Sequence, residues 1–140
     1  MKREIIHLSN EGELPYLERY HKDSGEKKPA VLIFPGGGYA LRAHHEGEPV
    51  ALEFLNAGFN AFVCQYRVAP NYYPIPFIDA MSAIKYIKNN SENLSVLNNK
   101  IAVCGFSAGG HLAASLGFFN GDDNLGISQE TCSWHRPNAM

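Results

Sequence analysis

The sequence predicts a three-layer α/β/α sandwich built on a mostly parallel sheet, and three observations carry that prediction. Residues 30–34, 59–66 and 100–106 form short runs rich in apolar residues, without the strict alternation of a strand that faces water on one side. Segments 48–57, 77–90 and 108–119 follow these runs in turn, with apolar residues at helical spacing. Glycine, proline and asparagine punctuate the junctions. Strands that alternate with helices imply right-handed crossovers and a sheet covered on both faces.

The elements follow in chain order. Segments 4–8 and 16–21 flank the turn signal Asn10-Glu11-Gly12-Glu13, which predicts an antiparallel hairpin at the edge of the sheet. The run 30–34 ends at Pro35 and three glycines. Val50, Leu52, Phe54 and Leu55 give the first helix its period, and Gly58 stops it. Phe62 and Val63 mark the next strand. Pro70, Pro74 and Pro76 predict a non-helical connection. Ile78, Met81, Ile84 and Ile87 then recur at helical spacing until Asn89-Asn90. The last helix is rich in alanine and carries Leu112 and Leu116.

Bulk properties narrow the classes of function. A chain of 140 residues is one domain at most, and 45% apolar with 19% charged residues suits a soluble, globular fold. A formal charge of −2 with mixed signs gives no electrostatic reason to expect nucleic acid or an anionic membrane as partner. The apolar runs are too short to span a bilayer, and no apolar signal region follows Met1-Lys2-Arg3. Cys64, Cys104 and Cys132 are odd in number and widely spaced, which fits neither a disulfide framework nor a zinc site. A reducing, cytoplasmic setting without metal or organic cofactor is therefore expected.

The chemistry concentrates at Gly105-Phe106-Ser107-Ala108-Gly109. A strand running straight into a helix needs a sharp turn, and flanking residues without a Cβ permit one. Such a turn lifts the Ser107 hydroxyl above the end of the strand as a nucleophile. The helix that starts at Ala108 aims free N–H groups and its positive dipole end at the same place. A second feature, Pro35-Gly36-Gly37-Gly38-Tyr39, follows the first buried run. An oxyanion hole needs donors about 3 Å from the developing charge. The N–H groups of Gly37, Gly38 and Ala108 are the expected donors, and the flanking Tyr39 and Arg42 are expected to shape a pocket. Nucleotide signatures fail in detail: Leu41 stands where a dinucleotide loop needs glycine, and Gly105–Gly110 lacks the Gly-Lys-Ser/Thr ending of a P-loop.

These segments resemble the esterase/lipase branch of the α/β-hydrolases, close to small acetyl esterases and acetylxylan-esterase-like enzymes. The resemblance rests on residues 31–39, Gly47-Glu48-Pro49-Val50-Ala51, Tyr66-Arg67-Val68-Ala69-Pro70, residues 76–80 and residues 105–114. Pro35 stands where that branch usually places a histidine, but backbone donors do not depend on it. The resemblance implies hydrolysis of short-chain esters, such as acetyl groups on carbohydrates, through an acyl-enzyme on Ser107. A small-molecule or carbohydrate ester would be the partner. An amidase or peptidase of the same fold is the enzymatic alternative, and a non-catalytic remnant or binding module is the other.

In this fold the nucleophile is followed by an acid and then a histidine. After Ser107 the chain offers only Asp122, Asp123, Glu130, His111 and His135. The resemblance implies that acid and base follow later strands, so the chain reads as the N-terminal half of the domain and is expected to be inactive alone. His111 lies one helical turn after the nucleophile, which suits packing or a buried hydrogen bond better than catalysis. His44 and His45 are expected at the site entrance or at the cap of the first helix. Arg67 and Asp79 are expected to brace the proline-rich connection, with binding of an acidic substrate as the rival role. An unpaired strand edge would favour self-association.

Overall fold

A computed structural model describes all 140 residues. Five strands, β1 (Lys2–His7), β2 (Tyr16–His21), β3 (Lys28–Phe34), β4 (Asn60–Gln65) and β5 (Val96–Gly105), form one sheet in the order β1-β2-β4-β3-β5. Strands β4, β3 and β5 run parallel, while β1 and β2 form the expected hairpin and join β4 antiparallel. The sheet is thus mixed, with a parallel half that carries the site.

Alternation along β3 divides the core. Ala30, Leu32 and Phe34 point to one face, where α2 (Ile75–Asn89) and α3 (Ala108–Phe118) bury Ile84, Ile87, Leu112 and Leu116 against them. Val31 and Ile33 point to the other, against Ala51 and Leu55 of α1 (Glu48–Asn56). The Leu, Ile, Val and Phe side chains buried here contribute about 1.5–3 kcal/mol each before entropy is counted. Helices on both faces of the sheet complete the three layers.

Local differences have local causes. Helix α1 buries Ala51 and Leu55, leaving Val50, Leu52 and Phe54 only half-buried. Pro76 does not exclude helix but lies in the first turn of α2, where its missing N–H has no intrahelical partner to lose. A short helix α4 (Gln129–Trp134), capped by the Ser128 side chain, was not visible as a periodic pattern. Beyond it the chain returns to the sheet. The Asn138 N–H donates to the Ile101 carbonyl at 2.7 Å, and the Val103 N–H donates to Ala139 at 2.9 Å, so Ala139 lies parallel to β5.

Ion pairs close the hairpin edge: Arg3 Nη2 to Glu18 Oε2 at 2.7 Å and Arg19 Nη1 to Glu4 Oε2 at 2.9 Å. Arg67 and Asp79 form the expected brace. The guanidinium holds the carboxylate through Nη2–Oδ1 at 2.7 Å and Nε–Oδ2 at 3.0 Å, and the Arg67 N–H donates to Oδ2 at 2.8 Å. Asp79 is buried, so this fork ties the end of β4 to α2. All three cysteines are free thiols, and no helix is long and apolar enough to cross a membrane.

Candidate active site

The turn between β5 and α3 is built by backbone collision. An ideal Cβ on Gly105 would lie 2.1 Å from the Gly109 carbonyl oxygen, and one on Gly109 would lie 1.9 Å from the Phe34 carbonyl oxygen. Neither position admits a side chain. Between them Ser107 takes φ 53° and ψ −119°, a conformation that costs a non-glycine residue energy and persists only where its surroundings enforce it. Its side chain is exposed at the N-terminus of α3.

The glycine loop lies directly against this serine. A Cβ on Gly36 would sit 3.2 Å from Ser107 Cβ and 2.6 Å from the Phe106 carbonyl oxygen. Side chains hold the loop in place. Glu46 Oε2 accepts the Gly36 N–H at 2.8 Å, and the Tyr66 hydroxyl donates to the Pro35 carbonyl. Burial pushes the Tyr66 hydroxyl pKa well above its ordinary value, so it stays a neutral donor. Gly37 at φ 139° and Gly38 at φ 63° carry the chain into Tyr39, which is itself left-handed at φ 60°. The Ala69 N–H donates to the Tyr39 carbonyl at 2.7 Å. The N–H groups of Gly37 and Gly38 have no protein acceptor, and that of Ala108 opens α3, where no intrahelical acceptor exists. The three N–H groups are therefore free, and the loop that carries two of them touches Ser107 through Gly36.

A cavity of about 330 Å³ opens between α2 and α3, bounded by Tyr39, Tyr72, Tyr73, Phe77, His111 and Phe119 among others. Tyr39 is a pocket wall, as its sequence position suggested. Arg42 is not among the lining residues: its Nε donates to Gln65 Oε1 at 2.9 Å and its Nη1 to the Tyr66 carbonyl at 2.6 Å, bracing the end of β4. Glu46 and Gln65 belong to no motif, and only their packing identifies them.

The chain's other titratable candidates serve elsewhere. His111 is exposed and its Nδ1 lies 2.6 Å from the Tyr39 hydroxyl, a surface hydrogen bond rather than a buried one. His135 closes α4 through the Thr131 carbonyl, and Asp122 accepts the Asn124 N–H at 3.0 Å in a turn of its own. His44 and His45 are exposed in a 3-10 turn, and neither caps α1, whose N-cap is Gly47. No group of three or more His, Cys, Asp or Glu side chains is arranged to hold a metal ion.

A sequence model of the BD-FAE family matches residues 17–138. The chain belongs to the BD-FAE family. This BD-FAE chain is 34% identical over 119 residues to endo-1,4-beta-xylanase B of Butyrivibrio fibrisolvens, covering 82% of the chain and 19% of that protein. It is 33% identical over 87 residues to the acetylxylan esterase of Xylanibacter ruminicola, covering 61% and 18% respectively. Among solved structures, an acetyl ester-xyloside bifunctional hydrolase from Caldicellulosiruptor lactoaceticus superposes with a TM-score of 0.80 at 39% identity, over 96% of the BD-FAE chain and 54% of that chain. The α/β-hydrolase MGS-M1 from a deep-sea metagenome library gives 0.80 at 40% identity, over 99% and 54%. The BD-FAE chain thus has the fold of the N-terminal half of the α/β-hydrolase esterases. It spans about half the length of these solved structures and about a fifth of these curated relatives.

Proposed function

We propose that Ser107 is the nucleophile of a carboxylic-ester hydrolase site that acts on short acyl esters, with acetyl groups on carbohydrates as the substrate class. One observation carries the reading: a strained, exposed serine at a helix N-terminus is pressed against a glycine loop with free N–H donors. In that geometry the hydroxyl oxygen attacks the acyl carbon, and the carbonyl oxygen gains negative charge facing Gly37, Gly38 and Ala108. The alcohol leaves, and water then releases the acid from the acyl-serine. A base must take the serine proton and return it to the leaving alcohol. No histidine of this chain is placed for that task, since the nearest in sequence, His111, lies a turn along α3 and engages Tyr39. The relatives named for acetylxylan and acetyl ester-xyloside hydrolysis support the carbohydrate ester as substrate.

A fluorophosphonate, which presents a tetrahedral phosphorus to a nucleophilic serine, tests the assignment when imidazole is added as a diffusible base. Peptide mass spectrometry of the labelled, folded chain should place the adduct on Ser107 ahead of every other serine, and a Gly37→Ala chain should label more slowly. Labelling spread evenly over exposed serines such as Ser24 and Ser128 would remove the assignment.

A further inference from the structure

The link between Tyr39 and His111 joins the two halves of the proposed anion hole. Gly37 and Gly38 belong to the loop after β3, whereas Ala108 and Ser107 belong to the start of α3. These halves meet through backbone packing at Gly36. Beyond Gly36 the loop turns outward through two left-handed residues, Gly38 at φ 63° and Tyr39 at φ 60°. A tyrosine in that conformation is strained and must be held by its contacts. Its carbonyl is held by the Ala69 N–H, which fixes the outgoing chain to the end of β4. Its side chain is held by α3: the hydroxyl lies 2.6 Å from His111 Nδ1, and the two rings meet edge to face with centroids 5.9 Å apart. The Tyr66 ring also meets the Tyr39 ring edge to face, with centroids 6.2 Å apart.

We infer that His111 is a positioning residue that acts through Tyr39 to hold the Gly37–Gly38 donors in register with Ser107. This rests on the reading of those glycines as oxyanion donors. The helix that presents the nucleophile also carries, one turn later, the hook for the opposing loop, so a single rigid element fixes both sides of the hole. Nδ1 is the functional atom, because it is the ring nitrogen that meets the phenol. Asparagine places its amide, which can accept or donate, at the same covalent distance from the backbone as Nδ1, whereas phenylalanine keeps a ring and removes the hydrogen-bonding nitrogen. His111 is exposed, so neither substitution disturbs the core.

The test is nuclear magnetic resonance on the isotopically labelled 140-residue chain, which requires no turnover. In wild type the Gly37 and Gly38 amides should be as ordered as the sheet, with order parameters of about 0.85. His111→Phe and Tyr39→Phe should each lower them toward 0.6 or below, the range of flexible backbone. The double variant should go no further than either single one, and His111→Asn should restore order. The His111 Nδ1 resonance should also shift in Tyr39→Phe. Unchanged Gly37 and Gly38 order in His111→Phe, or no restoration by His111→Asn, overturns the inference. If the loop loosens as expected but wild-type Ser107 takes no fluorophosphonate even with imidazole added as base, the link stands and the ester-hydrolase reading fails.

Discussion

Two glycine turns meet at Ser107, and they are held by different means. The Gly105–Gly109 turn is fixed by backbone against backbone: carbonyl oxygens of Gly109 and Phe34 occupy the space that a Cβ would need. The Pro35–Tyr39 loop is also tight at Gly36 and Gly37, but Gly38 faces open space, and side chains supply the remaining hold. The first turn is inseparable from the packing of α3 on the sheet. The second is an attachment whose order depends on Glu46, Tyr66 and His111. In the proposed reaction the serine must stay fixed while N–H donors meet the developing charge, and the two constructions would divide that work between a rigid half and an adjustable one.

The largest expected effect falls on the rigid half. Gly109→Ala forces a methyl into the Phe34 carbonyl and should destabilise the fold by about 3 kcal/mol or more, lowering Tm by about 10 °C. Thermal unfolding followed by circular dichroism checks this. A loss below about 1 kcal/mol would mean that the helix can slide away from β3 and that the turn is not packed as described.

Glu46 gives the next effect. Its carboxylate satisfies the buried Gly36 N–H, and Glu46→Ala leaves that donor without an acceptor at a cost of about 1–3 kcal/mol. Glu46→Gln keeps an oxygen in reach and should recover most of the loss in denaturant titrations. Equal losses in both variants would assign the effect to charge rather than to the hydrogen bond.

Gly38→Ala gives the smallest. Nothing lies within 4 Å of the added methyl, so only the left-handed backbone at φ 63° resists it, for about 1 kcal/mol. A loss as large as that of Gly109→Ala would show that the loop is held by packing after all, and the contrast between the two turns would disappear.

The sequence made one of these turns far more legible than the other. Gly-x-Ser-x-Gly between a buried run and a helical run specifies its own geometry, because the constraint lies in the glycines themselves. The buried runs at β3, β4 and β5, and the helix after each, were legible for the same reason: periodicity is local. The loop's glycines were visible too, but its braces were not. Glu46 is ten residues from Gly36, Tyr66 is 31 from Pro35, and His111 is 72 from Tyr39. Such contacts exist only after the sheet forms, and no spacing announces them. Arg42 shows the converse error, since its position beside the loop suggested a pocket wall while Gln65 and the Tyr66 carbonyl draw it to β4. Pro76 reads as part of the non-helical connection ahead of the helix, but it occupies the first turn of α2, the one turn that tolerates proline.

On the proposed reading, the chain holds a formed nucleophile and anion hole with no base of its own in place, and imidazole supplies a diffusible base. The decisive measurement is hydrolysis of 4-nitrophenyl acetate by wild type and Ser107→Ala, each across a series of imidazole concentrations. Without imidazole the two proteins should be indistinguishable; as imidazole is added, wild type should pull ahead of Ser107→Ala above the background of imidazole alone. Equal rates at every concentration would contradict a poised Ser107, and robust Ser107-dependent turnover without imidazole would contradict the missing base.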